Sequence, residues 1–176
     1  LLQNSFSPQP ETGRIDGGVS QLLLGLGDGT FRSVPPHESG LTVAGDGKSL
    51  GAIDLNRDGW VDFVAACNSG PMITFINRGH PKNRGLSFRL QGLPGNPTGI
   101  GAKLILTCTK IPNQVAELHA GGSYLSQNPG IAFFGVPSGS QPTKLDVHWP
   151  DGRQLQVALD SIKGQRLLIR HPDLGK

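Results

Sequence analysis

The sequence predicts an all-β protein, with partial propeller-like repeat strands packed with a carboxyl-terminal antiparallel β-sandwich. Three observations carry that expectation. The 176 residues include 26 Gly and 14 Pro, and both residue types disfavour helix interiors. Apolar residues make up 36%, enough to build a core and too many for wholesale disorder. Those residues fall in short runs or strict alternation rather than at helical spacing.

Taken in order, Val19 to Leu24 reads as a strand that enters Gly27-Asp28-Gly29 and continues at Thr30-Phe31, a hairpin signal. Pro35-Pro36 ends ladder pairing. The turn Gly45-Asp46-Gly47 precedes a strand ending at Ile53, and an acidic loop follows. In the next strand Val61, Phe63, Ala65 and Cys67 share one face, and Met72 to Ile76 follows after Asn68-Ser69-Gly70-Pro71. Beyond it, Leu86, Phe88 and Leu90 alternate, as do Ala102, Leu104, Leu106 and Cys108. Val115 to His119, Ile131 to Phe134, Leu145 to Trp149, Leu155 to Val157 and Leu167 to Ile169 complete about a dozen strands, a number suited to sandwich or propeller-like packing.

The turn-plus-strand unit around Gly29 is echoed around Gly47 and Gly59, which reads as a degenerate blade repeat. A single blade cannot bury both of its faces, so the first half must pack on further blades or on the second half. Gly, Pro, Asn and basic residues cluster from Asn77 to Gly85. The expected division is therefore residues 1–77 as a repeat region and 78–176 as a second β domain.

Charge follows the same division. Residues 1–77 carry four Lys/Arg against eight Asp/Glu, a net −4, and residues 78–176 carry twelve against five, a net +7. An acidic half suits a divalent cation, and a basic half can face an anionic partner. Lys103, Lys110, Lys144, Arg153 and Arg166 stand singly, without a basic run or interleaved aromatics, which argues against nucleic acid. No stretch approaches the length of a membrane span. Leu1-Leu2-Gln3-Asn4 lacks the basic start and apolar middle of a signal peptide, and the chain reads as the carboxyl-terminal piece of something longer. Cys67 and Cys108 end apolar strands and read either as two buried thiols or as one disulfide in an oxidising compartment.

Asp54-Leu55-Asn56-Arg57-Asp58-Gly59-Trp60-Val61-Asp62 is the segment that carries chemistry. It sets oxygen side chains at positions one, three, five and nine, and calcium takes six to eight oxygens of that kind. Gly59 lets the backbone reverse, and the Trp60 carbonyl can supply a further ligand. Converging carboxylates repel one another without a cation. An EF-hand needs Glu at position twelve and flanking helices; here that position is Ala65, inside a strand, and Asp62 is expected to replace the Glu. The plainer reading is an Asx-rich hairpin loop with solvated carboxylates. For Asp16, Asp28 and Asp46, also beside glycines, turn chemistry alone suffices.

Residues Leu22 to Asn77, with GDGTF at 27–31 and DLNRDGWVDF at 54–63, resemble the FG-GAP/VCBS repeats of calcium-binding β-propellers. Leu86 to about Arg170 resembles the ASPIC/UnbV domain that follows such repeats, through NPTGIGAKL at 96–104, GGSYLSQN at 121–128 and LDVHWPDG at 145–152. The resemblance implies a secreted, periplasmic or cell-surface protein that holds Ca2+ at Asp54, Asn56, Asp58 and Asp62. It implies no enzyme. Members are often acidic, whereas this chain has pI ≈ 9.1, which argues against an acidic-surface role.

The function expected is a calcium-stabilised, non-catalytic interaction or scaffold module with a protein or glycan partner. Two rivals stand beside it. A carbohydrate-binding module can use Trp60, Tyr124 or Trp149 for stacking, although Leu145, Val147 and Trp149 alternate into one face and read as core. A hydrolase can draw on Glu117, His119, Ser123 and Tyr124, or on Asp146, His148 and Asp151, but no nucleophile elbow is present. His37, His80, His119, His148 and His171 show no zinc spacing.

Overall fold

Alternating apolar residues can be buried only if strands pair into sheets and the sheets cover one another. The computed structural model describes residues 11, 18–162 and 164–175. Leu1 to Asn4 and the expected turn at Asp16 lie outside the described residues. Among those described there are twelve strands and one helix of four residues, and no closed barrel. No described helix is long and apolar enough to cross a membrane.

Contacts divide the chain into two units. The first takes the described residues up to Ala52, then Phe63–Phe75 and Ser123–Gln127. Here β1 (Leu22–Gly25) and β2 (Phe31–Val34) form an antiparallel hairpin. Its turn is held by Asp28, which accepts hydrogen bonds from the Thr30 hydroxyl at 2.6 Å and the Thr30 amide at 2.9 Å. The hydroxyl first, then the amide, lowers that carboxyl below its ordinary pKa. Pro35-Pro36 stops the ladder as expected, and the chain then makes one helical turn, α1 (Pro36–Ser39), ended by Gly40 at φ 70°. The strands β3 (Gly47–Ile53), β4 (Asp62–Cys67) and β5 (Ile73–Phe75) form a sheet in that order, with β4 and β5 antiparallel.

The second unit takes Ile53–Asp62, Ile76–Gly122 and the described residues from Asn128 onward. The acidic loop, which linear sequence places in the first region, thus packs within this unit. A four-stranded antiparallel sheet has the order β11 (Gln154–Ala158), β10 (Pro142–His148), β7 (Lys103–Cys108), β8 (Gln114–Glu117). A three-stranded sheet has the order β12 (Arg166–Arg170), β6 (Arg84–Gln91), β9 (Ile131–Val136). The expectation of an antiparallel sandwich needs one correction: β12 runs parallel to β6. The crossover from β11 into β12 brings the last strand in alongside the first of the unit.

One core cluster joins the two sheets. Leu86, Phe88 and Leu90 face Ala102, Leu104, Leu106 and Cys108, with Ala132, Phe134, Leu145, Val147 and Trp149 filling between. Three of the four alternating sets predicted from sequence are buried in it throughout; of the fourth, Val61, Phe63, Ala65 and Cys67, only Ala65 is buried, and none belongs to this cluster. Phe88 and Phe134 meet edge to face at 5.7 Å. Cys67 and Cys108 do end β4 and β7, and both are free thiols rather than a disulfide. Burial raises the pKa of Cys108.

Leu104 is fully buried and Met72 is 69% exposed. Leu104→Ala should therefore cost about 2–5 kcal/mol, through lost burial and the cavity left behind. Met72→Ala should stay within about 0.5 kcal/mol. Denaturant unfolding of both variants checks the contrast.

Candidate metal centre

The acidic loop begins where β3 ends and closes where β4 begins, so its first and last acids are pinned by strand geometry. Asp54 and Asp62 are buried, the latter completely. Each is satisfied by backbone amides, as a buried carboxylate must be. Asp62 Oδ2 accepts from the Leu55 amide at 2.8 Å and Oδ1 from the Asn77 amide at 2.8 Å. Asp54 Oδ1 accepts from the Asp58 amide at 3.0 Å, and Oδ2 from the Gly59 amide at 3.2 Å. The Asp58 amide also lies 3.2 Å from Asn56 Oδ1, while the Asn56 amide group donates to Asp58 Oδ2 at 2.8 Å. Asp58 Oδ1 caps the Trp60 amide at 2.9 Å. The tight path needs left-handed backbone at Arg57 (φ 66°) and Gly59 (φ 87°).

Five partners of this loop lie outside it in sequence. Arg166, at the start of β12, sets Nε 3.1 Å from Asp54 Oδ2. Gly59 is wedged so closely that a Cβ there would come within 2.8 Å of Gln165 Cβ and 3.0 Å of the Gly85 carbonyl oxygen. The Trp60 indole lies over Gly79 and Gly85, where an added Cβ would sit 2.5 Å and 2.7 Å from its ring atoms. Trp60 is therefore a half-buried packing residue, not an exposed platform. Asn77, besides donating to Asp62, accepts from the Gly79 amide at 2.9 Å, so the segment read as a boundary is tied to the loop. Only the glycines at 79 and 85 hinted at this in the sequence. The pairing of Arg166 with Asp54 left no signal.

The donor set suits a hard cation: carboxylate and amide oxygens, with Asp54 and Asn56 oxygens on the Asp58 amide and the Asp58 carboxylate on the Asn56 side-chain amide. Among the described residues no group of three or more His, Cys, Asp or Glu side chains is arranged to hold a metal ion. A calcium site here thus depends on Asn56 and a backbone carbonyl as well as on the acids. The premise that the acids need a dication to offset their repulsion is also modified, because amide N–H groups and the Arg166 guanidinium already meet them.

The other polar groups fall elsewhere. Glu117 Oε2 and His119 Nε2 lie 3.8 Å apart, both side chains exposed. Ser123 bridges Ser126 in the first unit, and neighbouring Tyr124 is 70% exposed. Asp146 pairs with Lys144 at 2.9 Å and accepts from Gln156 at 2.7 Å, contacts that lower its pKa, the Gln156 bond foremost. Asp151 instead holds the buried His171 at 3.0 Å. Trp149 is core, 4% exposed.

Asp62→Ala should leave two amides without their acceptor and cost about 2–5 kcal/mol, measured in chelator so that no metal contributes. The exposed Asn56→Ala should cost less than about 1 kcal/mol under the same conditions.

Comparison with known families matches residues 12–65 to the FG-GAP-like repeat and residues 92–175 to ASPIC and UnbV. No curated protein matches the chain. The acidic loop falls inside the first match, and its partners Gln165 and Arg166 inside the second. The chain carries an FG-GAP-like repeat followed by an ASPIC and UnbV domain.

Proposed function

We propose that this chain is a non-catalytic interaction or scaffold module of an exported protein, stabilised by calcium at the Asp54–Asp62 loop. The observation that carries the reading is the convergence of Asp54, Asn56 and Asp58, whose side chains all lie within hydrogen-bonding reach of the Asp58 amide or of one another. Those residues, with the Trp60 carbonyl, would hold the ion. Asp62 keeps one lone pair on each oxygen beyond the amides it accepts. A bound dication would offset the charge of Asp58 and Asp62, which Arg166 does not reach. The non-catalytic reading is supported by the surroundings of two residues offered as catalytic candidates: Glu117 is exposed and lies 3.8 Å from His119, and Asp146 pairs with Lys144 with solvent access.

A glycan partner is the second reading, favoured by one observation. Tyr124 and Leu125 are 70% and 72% exposed, side by side in one loop. On a glycan array, binding that disappears in Tyr124→Ala would select this reading over a protein partner.

A ligand held only by the folded state raises its stability, by about 2.7 kcal/mol at one hundred times its dissociation constant. Thermal unfolding in calcium should therefore occur several degrees above unfolding in chelator for the parent, and Asp58→Ala should abolish the difference. Identical parent curves in both buffers would remove calcium from the account.

A further inference from the structure

The three-stranded sheet of the second unit has one face on the core and one turned outward, and its register fixes what stands outside. Leu167 and Ile169 pack on the core, so Arg166, Leu168 and Arg170 face out. Their neighbours on β6 are Ser87, Arg89 and Gln91. Ser87 and Arg89 stand in turn beside Phe133 and Ile131 of β9. This face has three arginines among apolar side chains, and no acidic residue occurs in any of the three strands.

One end of the face is already covered. There Arg166 pairs with Asp54, and Ser87 beside it is only 4% exposed. Farther along, the face is open. Arg89 is exposed, and its guanidinium makes no hydrogen bond or ion pair with another described residue. Arg170 donates to Gln91 at 3.2 Å, and Leu168 is 52% exposed. A groove of about 650 Å³ lies here, lined by Arg89, Gln91, Pro97, Thr98, Ile131 and Leu168 among others.

We propose that this groove docks an extended acidic–apolar peptide segment of a partner protein, with carboxylates on Arg89 and Arg170 and an apolar side chain over Leu168. Guanidinium groups pair with carboxylates through two parallel N–H donors, a stronger and more directional contact than a point charge gives. The molecule already makes one guanidinium–carboxylate contact on this face, where a loop brings Asp54 Oδ2 to 3.1 Å from Arg166 Nε. The apolar floor favours a peptide over a sulfated sugar, which would leave Leu168 and Ile131 against charged groups. As the edge strand of its sheet, β12 also offers backbone groups to an extended chain. This inference rests on the interaction-module reading, naming its partner's chemistry, and does not involve the metal.

The test is fluorescence anisotropy of a labelled short peptide of alternating Glu and Leu. A Gln–Leu counterpart and a heparin-derived oligosaccharide are the comparison probes. The parent should bind the Glu–Leu peptide, more weakly as salt rises, and should not bind the Gln–Leu form. Combined Arg89→Ala and Arg170→Ala should weaken binding about tenfold or more, while the melting curve and its calcium response stay as in the parent. Leu168→Ser should weaken peptide binding and leave the oligosaccharide unaffected. A charge-reversed Arg89→Glu, Arg170→Glu chain should prefer a Lys–Leu peptide. Equal peptide binding by parent and double variant would overturn the proposal. So would an oligosaccharide that outcompetes the peptide. Absence of peptide binding beside an intact calcium response would overturn this docking face alone and leave the module reading standing.

Discussion

The complete burial of Asp62 is the constraint on which the acidic loop depends. A carboxylate removed from water must find donors, and this one finds them in the amides of Leu55 and Asn77. The first contact closes the loop on itself; the second fastens the segment leading into β6. Asp54 repeats the arrangement with two amides and then reaches Arg166. The same acids that suggest a cation site therefore act as fasteners of irregular backbone, and each remaining lone pair is what an ion would have to use.

Much of the fold was legible because burial leaves a period-two trace. The alternation of Leu86, Phe88 and Leu90, and that of Ala102 to Cys108, identified the core of the sandwich without any knowledge of pairing. Trp149 was readable as core for the same reason. What alternation cannot carry is direction, so the parallel entry of β12 beside β6 went unseen. A run such as Arg166 to Arg170 looks identical in either orientation.

The candidate site was legible in part, for a different reason. Asx residues and glycine at fixed offsets encode a local loop, and Asp54, Asn56 and Asp58 do converge. Its tertiary surroundings are encoded by absence: Gly79 and Gly85 are small because Trp60 lies over them, and Gly59 is small because Gln165 and the Gly85 carbonyl leave no room. A missing side chain reads as a turn in sequence and as a contact only in three dimensions. The basic character of the second half was visible, but its grouping on one sheet face was not, because Arg89 and Arg170 are eighty-one positions apart.

The position of β12 has a bearing on how the chain is made. The strand that borders β6 and delivers Arg166 to Asp54 sets Arg166 beside Ser87, seventy-nine positions earlier. Sheet pairing over so long a separation is slow, because loop closure precedes any gain from contact. During synthesis one flank of β6 stays bare until β12 has left the ribosome. A chain ending before Arg166 would lose the strand that seals that flank.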